Sequence, residues 1–364
     1  MKKHNPLYDF LSIGDFPTTF YYGNYVEQLS TLFANGIKHL QKINQKDFAP
    51  YIKQTYISRM EILQKGIIES INCYMDGLPA MAFTCFEKAV DECGIGDEIR
   101  TIHQVSIPRF NHFYRIVKDY NGDNTKSTGK GFLKSKDPLD LFHPPKQVSP
   151  VIGINRFSIP GFPCLYISET LHTSFSECFP NRGNFSAFHA ISFANHRPLY
   201  ILDISLDKIK QVKQRMANSK DGMYINAHSM DAMAMLENMV LLQLMLATHT
   251  KFDYKDIFGD RTIFFKVEYI LPQLLMQWLV KKKSPIDGIR YQSCTGDVKF
   301  PNVHNHYNYV LPAKRILDET YCVELKNLFS STEVLSYFDK KPANLSRAIE
   351  QIQKELELST LTPL

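Results

Sequence analysis

The stretch NRFSIPGFPCLYISETLHTSFSECF, residues 155–179, sets the fold prediction for the chain. Its apolar run PCLYIS predicts a β-strand that leads directly into a short helix. If the helix begins near Thr170, its period of 3.6 residues places one stripe toward the core, made of Leu171, Phe175 and Cys178. The opposite, polar stripe holds Thr170, Thr173, Ser174 and Glu177. A lone glutamate of this kind is ordinarily a solvated surface residue, so its surroundings must decide whether it has a function.

The composition is that of a globular protein with a modest positive charge. The chain has 364 residues, 44% of them hydrophobic, and a net charge of +5. No dense Lys/Arg block with interleaved aromatic residues is present, so we expect no nucleic-acid binding. The apolar stretch 239–249 is too short to span a bilayer, and the N-terminus lacks the features of a signal peptide. Seven cysteines, an odd number, fit reduced thiols in a cytoplasmic protein.

Helical and strand patterns follow one another along the chain. Residues 1 to about 105 predict helices, including a hairpin with its turn at Asp76, Gly77 and Pro79. Later helices are predicted at about 229–248, 272–283 and 343–358. Strands are predicted at 112–117, 163–168, 185–193, 198–205, 262–270 and 307–312, and residues 118–147 predict a long loop. Strands and helices without regular alternation predict an α+β fold.

Most catalytic and metal motifs are absent. The segment GDNTKSTGKG lacks the spacing of a phosphate-binding loop, and neither G-x-S-x-G nor H-E-x-x-H occurs. Cys294, His304 and His306 lie close together in sequence, but no fourth ligand accompanies them. We therefore predict no metal site.

Four ordered motifs resemble the RES domain, a family named for its Arg, Glu and Ser. The pattern R-x-x-x-x-G-x-P-x-L-Y-x-S begins at Arg156, and Glu177 follows its tyrosine by eleven residues. HFYRIV, EYILPQLLMQWLVKKKSPIDGIRYQSC and YNYVLP resemble three further family segments, so that the resemblance covers roughly residues 110–312. The loop between Arg115 and Arg156 and the segment between the strands at 198–205 and 262–270 are longer than in compact members.

The resemblance implies a fold similar to ADP-ribosyltransferases, with mixed sheets and flanking helices, here preceded by a helical N-terminal unit. It also implies an enzyme that cleaves the nicotinamide–ribose bond of NAD, as a phosphorylase or a glycohydrolase, often as a toxin held by an antitoxin. NAD is then a substrate, inorganic phosphate a candidate co-substrate, and no cofactor is expected. Homodimerisation is expected by analogy alone.

The same resemblance assigns roles to seven residues. Glu177, Arg115 and Ser293 are the catalytic candidates. The reason for Glu177 is that a carboxylate beside the ribose stabilises an oxocarbenium-like transition state. The NAD-binding candidates are Arg115, Arg156, Tyr166, Ser168 and Tyr291. Guanidinium groups suit the pyrophosphate, and Tyr166 and Ser168 share one face of their strand.

The sequence leaves the acceptor of the ribose open. Water, phosphate and a macromolecule all require the same stabilised cation, so ADP-ribosyl transfer stays an alternative, as does a silent RES-like interaction module. We predict three parts of the chain: a helical region over 1–105, a catalytic domain over 106–320 and a helical C-terminal extension over 321–364.

Overall fold

The structure, a computed structural model, describes most of the chain in separate ranges. They are residues 19–20, 24–42, 50–101, 104–118, 137–179, 187–205, 230–252, 254, 259, 263–282, 285–293, 307–314, 320–338 and 345–364. The helices are α1 (Tyr25–Lys42), α2 (Pro50–Met75), α3 (Pro79–Glu92), α4 (Ile95–Thr101), α5 (Leu171–Cys178), α6 (Met230–Thr248), α7 (Ile270–Lys281), α8 (Val323–Leu328) and α9 (Leu345–Leu358).

The strands are short and pair almost entirely within one sheet. They are β1 (Thr19–Phe20), β2 (Gln104–Ile107), β3 (His112–Lys118), β4 (Cys164–Ser168), β5 (Ala187–Asn195), β6 (Leu199–Asp203), β7 (Lys251–Phe252), β8 (Gly288–Gln292), β9 (Tyr307–Pro312), β10 (Phe329–Ser331), β11 (Leu335–Phe338) and β12 (Thr362–Pro363). The ten-stranded sheet has the order β12-β10-β5-β3-β4-β9-β8-β6-β2, and β11 pairs with β5. Only β6 and β8 pair in parallel within it, so the sheet is mixed and the predicted α+β class is confirmed.

The chain divides into two compact units. One contains residues 1–103 and 204–283, and the other contains residues 104–203 and 284–364. The first unit thus combines the predicted helical region with a later segment that the sequence prediction assigned to the catalytic domain. The predicted domain boundaries themselves remain predictions.

A tightly packed helical hairpin forms much of the first unit. A Cβ added at Gly66 of α2 would lie 2.1 Å from the Cβ of Ala89 on α3, so only glycine allows the helices to approach this closely. The predicted turn is confirmed, and Gly77 within it has a φ of +80°. Helix α6 is predominantly apolar, and its described side chains from Met239 to Thr248 are all buried, as expected of a core helix. Across the described ranges, we find no helix with the length and hydrophobicity that a bilayer crossing requires.

The predicted strand over 262–270 is wrong. Residues 263–266 pair with no strand in the described structure, and Val267–Tyr269 form a 3₁₀ turn before α7. The β-branched and aromatic residues of this segment suggested a strand, but its polar groups are satisfied differently. The Val267 amide donates to the Tyr254 hydroxyl, which in turn donates to the buried Glu268 carboxylate. Tertiary hydrogen bonds therefore override strand propensity here.

The sheet of the second unit nearly separates between β3 and β4. Strand β3 pairs with β5 along its whole length, and β4 pairs with β9 along its whole length. By contrast, β3 and β4 share one residue pair, Tyr114 with Ser168. Beyond that pair the two strands diverge, and this divergence, here called the β3/β4 split, is where α5 packs.

The C-terminal part contains more sheet than the sequence predicted. Helices α8 and α9 lie in the range 321–364, but so do β10, β11 and β12, which extend the sheet on the β5 side. These strands have only two to four residues, too short for a periodic pattern to reveal them.

Candidate active site

Helix α5 begins as the sequence predicts, but the middle of its polar stripe is buried and Glu177 is half-buried. Thr170 is the N-cap, and its hydroxyl accepts a hydrogen bond from the Thr173 amide at 3.1 Å. Leu171 and Phe175 are fully buried as predicted, yet Thr173 and Ser174 are buried as well. The polar side of α5 therefore faces other parts of the protein, which removes the interpretation of Glu177 as a solvated surface residue.

Side chains replace the missing strand ladder at the β3/β4 split. The Ile116 amide of β3 donates to the Ser174 hydroxyl at 2.8 Å, and the Cys178 thiol donates to the Ile116 carbonyl at 3.1 Å. Burial raises the pKa of the Cys178 thiol to about 11, so the thiol stays protonated and can donate. On the β4 side, the Tyr166 carbonyl accepts from Arg115 Nη1 at 2.9 Å. Backbone groups that a sheet would ordinarily pair are thus satisfied, which fixes α5 in the split.

Glu177 lies at the centre of a hydrogen-bonded cluster. Its Oε1 accepts one hydrogen bond from the Ser293 hydroxyl and one from the Asn308 Nδ2, both at 2.6 Å. The Ser168 hydroxyl donates to the Asn308 Oδ1, also at 2.6 Å, and orients that amide. The Glu177 Oε2 accepts no hydrogen bond from the residues that the structure describes. The structure therefore brings together three of the predicted residues, Glu177, Ser293 and Ser168, through Asn308.

Arg115 lies in the same split, but it donates to main chain instead of to Glu177. Burial lowers the pKa of the Arg115 guanidinium from its ordinary value, although Cys178 and Tyr166 partly offset this. Its Nε is buried and has no hydrogen-bond partner within the described ranges. A half-buried arginine whose Nε has no acceptor among the described residues has capacity for an anionic ligand.

A neutral histidine lies near Arg115. His143 accepts from the Cys322 amide at its Nε2 and donates from Nδ1 to the Pro144 carbonyl. Burial and then the positive charge of Arg115 lower the pKa of His143 to about 4, partly offset by the Pro144 carbonyl. The neutral imidazole adds no second positive charge beside the buried guanidinium.

The remaining predicted residues are Tyr166 on β4, Tyr291 on β8 and Arg156 in the turn before β4. The Tyr166 hydroxyl is hydrogen bonded to the Ser158 hydroxyl at 2.9 Å. The buried Tyr291 ring packs against Phe157, with ring centroids 4.7 Å apart, and Tyr291 pairs with Asn308 in the register of β8 and β9. Arg156 is half-buried and adjoins Phe157 in the chain. Tyr166 and Tyr291 are thus held by the same turn.

The segment DGIRYQS places Ser293 at the end of β8. The Asp287 carboxylate accepts two hydrogen bonds from Arg197 and one from the Tyr200 amide, which anchors the start of β8. A Cβ added at Gly288 would lie 2.4 Å from the Val310 carbonyl oxygen of β9, so glycine allows the close approach of the two strands. Five residues further on, Ser293 reaches the carboxylate of Glu177.

Asn308 is the site residue that the sequence interpretation missed. It occurs within YNYVLP, a strand buried throughout, as a polar side chain among aromatic and aliphatic neighbours. A buried amide needs hydrogen-bond partners, so its position between apolar residues was the available signal. The metal candidates Cys294, His304 and His306 lie outside the described residues, and no cluster of metal-binding side chains occurs within them.

Comparison with known proteins identifies the family. The RES domain matches residues 134–318, half of the chain, and the chain belongs to the RES domain family. It is also 26% identical over 318 residues to a Bacillus subtilis (strain 168) protein with the name "Putative toxin YopC". The aligned part covers 85% of this chain and 65% of that relative, so the chain spans less than two thirds of the relative's length. No solved structure matches the chain. Because Arg115 precedes the matched residues, its assignment depends on its position in the β3/β4 split.

Proposed function

We propose that the protein cleaves the N-glycosidic bond between nicotinamide and ribose in NAD. The observation that carries this proposal is the Glu177 cluster, in which Ser293 and Asn308 both donate to Oε1, while no residue of the described ranges donates to Oε2. Membership of the RES family supports the same reaction class. The similarity to ADP-ribosyltransferases in fold remains a prediction.

The chemistry requires a fixed carboxylate. As the bond to nicotinamide breaks, its electron pair leaves with the pyridine ring, which departs as neutral nicotinamide, and positive charge develops on the ribose. A preorganised carboxylate stabilises that charge most effectively when it does not have to reorient during the reaction. Hydrogen bonds from Ser293 and Asn308 hold Glu177 in this way. Its Oε2 is the atom that would accept from a ribose hydroxyl.

Arg115 and Arg156 are the candidates for binding the pyrophosphate of NAD. The buried Nε of Arg115 has no acceptor among the residues that the structure describes, and Arg156 adjoins the turn that holds Tyr166 and Tyr291. Guanidinium groups bind phosphate oxygens through paired hydrogen bonds. We propose that both contribute to NAD binding, with Tyr166, Ser168 and Tyr291 lining the same site.

The acceptor distinguishes the possible reactions. Attack by water gives ADP-ribose, attack by inorganic phosphate gives ADP-ribose 1″-phosphate, and each reaction releases nicotinamide and one proton. We propose NAD degradation by one of these two routes. Transfer of ADP-ribose to a macromolecule is the alternative outcome of the same test.

We further propose that the protein acts as a toxin, because the aligned relative is named as one. Depletion of NAD would arrest growth, and a toxin of this kind requires an inhibitory partner protein in the cell that makes it. Induced expression of the wild type should lower cellular NAD before growth stops. Expression of Glu177→Gln should leave both unchanged.

Product analysis tests the reaction. Purified protein is incubated with NAD, with and without phosphate. Nicotinamide and the ribosyl products are then separated by chromatography and identified by mass spectrometry. We expect nicotinamide release to fall by about 10²-fold or more in Glu177→Gln, the order of magnitude for loss of one electrostatic stabiliser. Glu355→Gln, the same change at an exposed position of α9, is the matched control and should keep wild-type activity. Stable NAD under every condition would refute the proposal.

A further inference from the structure

The C-terminal helix α9 packs against the helix that carries Glu177. Its apolar residues recur at spacings of four, three and four, and they form one face: Leu345, Ile349, Ile352 and Leu356. Ile349 and Leu356 are fully buried in a cluster that includes Leu171 and Phe175 of α5. Helix α9 lies beyond residues 134–318, so the family match does not account for it.

Two polar side chains of α9, Gln353 and Glu357, form hydrogen bonds to α5 and to β3. Gln353 Oε1 accepts from the Leu171 amide at 2.9 Å, and Gln353 Nε2 donates to Glu357 Oε1 at 3.0 Å. The same Glu357 oxygen accepts from the Tyr114 hydroxyl at 2.6 Å. The first amides of a helix lack partners within that helix, so Gln353 supplies a partner for the first residue of α5.

These contacts connect α9 to the residues that position Glu177. Leu171 precedes Glu177 by six residues on a helix of eight residues, so a rotation or shift at one end reaches the other. Tyr114 pairs with Ser168 at the one point where β3 meets β4, and the Ser168 hydroxyl orients Asn308. The hydrogen bonds of α9 therefore connect to α5, which carries Glu177, and through Tyr114 and Ser168 to Asn308, one of the two donors to the Glu177 carboxylate.

We propose that Gln353 and Glu357 are positioning residues that hold α5, and with it the Glu177 carboxylate, in its reactive placement. This inference rests on the proposed function for its catalytic consequence. Neither side chain contacts Glu177, so the effect passes through Leu171 and Tyr114. The C-terminal segment is then a required part of the active site and not an appendage to it.

Steady-state kinetics with NAD test the proposal. Gln353→Leu removes the acceptor and donor while keeping similar size, and we expect kcat per folded molecule to fall about tenfold with KM changed less than about threefold, because a misplacement of the order of 1 Å is costly in catalysis. Gln351→Leu, an exposed position on the same helix, is the matched control and should behave as wild type.

A double variant separates positioning from general packing. In Q353E/E357Q, the carboxylate at position 353 can accept from the Leu171 amide and from the new amide nitrogen at 357. That nitrogen takes the place of the shared Glu357 oxygen, and its second hydrogen can be donated to the Tyr114 hydroxyl oxygen. All three contacts are thus kept, with the charge moved from position 357 to position 353. We expect kcat to return to within about threefold of wild type. Unchanged kcat in Gln353→Leu, or a failure of the double variant to recover activity while folded, would overturn the proposal.

Hydrogen exchange gives a readout that does not depend on activity. Amides of residues 171–178 should exchange faster in Gln353→Leu than in wild type and Gln351→Leu, since the first turn of α5 loses its partner. If the wild type leaves NAD intact, the proposed function fails and exchange alone decides the positioning claim. Equal exchange in Gln353→Leu and wild type would then refute it.

Discussion

Replacing Asn308 with aspartate provides a stability test of the Glu177 cluster. The change preserves the shape and the oxygen that accepts from Ser168, but it replaces the Nδ2 donor with a second carboxylate oxygen facing Glu177. If both groups were charged at the present separation of 2.6 Å, they would repel by about 6 kcal/mol at an effective dielectric constant of about 20. Retaining a proton on an ordinary aspartic acid costs about 4 kcal/mol at pH 7. The pair should therefore bind a proton in the folded state.

The proton uptake produces a pH dependence with a defined sign. The carboxyl introduced at position 308 has a folded-state pKa above its unfolded value, so the folded variant binds more protons and its stability is lost as the pH rises. The limiting slope is about 1.4 kcal/mol per pH unit, or about 4 kcal/mol between pH 5 and pH 8. Glu177 is half-buried, and solvent screening reduces this value, so we expect a loss of about 2–4 kcal/mol relative to wild type.

Urea unfolding at pH 5 and pH 8 measures the effect. Asn327→Asp, the same change at an exposed position of α8, should follow the wild-type pH profile. A profile for Asn308→Asp that runs parallel to wild type between the two pH values would refute the arrangement of Asn308 and Glu177 described above.

Three further predictions concern the supports of the site. Gly288→Ala should destabilise the protein by about 1–3 kcal/mol, because the added methyl group would collide with the Val310 carbonyl of β9. Gly153→Ala is the control, since no atom lies within 4 Å of its added Cβ, and its thermal unfolding should match that of wild type. His143 is neutral in the folded protein, with a pKa lowered by burial to about 4, so its contribution to stability is present above pH 6.5 and is lost as the pH falls. Between pH 6.5 and pH 4, the free energy of unfolding should fall by about 3 kcal/mol more in wild type than in His143→Gln. Urea unfolding at the two pH values measures this difference. The half-buried Cys178 thiol has its pKa raised to about 11 by burial, so at pH 8 it should react with iodoacetamide at least about tenfold more slowly than an ordinary thiol. Labelling at the rate of free cysteine, followed by peptide mass spectrometry, would contradict this raised pKa.

The elements that the sequence predicted well are those with a clear period or a local signal. Strands β3, β4 and β9 and helices α6 and α9 were predicted to within a few residues because their apolar patterns are regular. The start of α5 near Thr170 was also predicted, and in the structure Thr170 caps the helix through a short-range hydrogen bond. The strand prediction over 262–270 failed because partners distant in the fold satisfied its backbone.

The site was predicted only in part, since long-range register decides which side chains meet. Helical phase placed Glu177 on the polar side of α5, but it could not show that this side is buried against β9. The pairing of β8, β9 and β4 brings Asn308 between Ser168 and Glu177, and no local pattern encodes that register. Arg115 was expected to serve NAD binding, while its bond to the Tyr166 carbonyl depends on the divergence of β3 from β4.

A crystal structure with a non-cleavable NAD analogue would show whether the Glu177 carboxylate binds the nicotinamide-bearing ribose. A carbocyclic analogue, in which a methylene group replaces the ring oxygen of the nicotinamide-bearing ribose, cannot form the oxocarbenium-like state and should remain intact. We expect a ribose hydroxyl about 3 Å from the Glu177 Oε2 and the pyrophosphate beside Arg115 or Arg156. Binding of the analogue elsewhere, with the Glu177 cluster left unoccupied at saturating concentration, would contradict it.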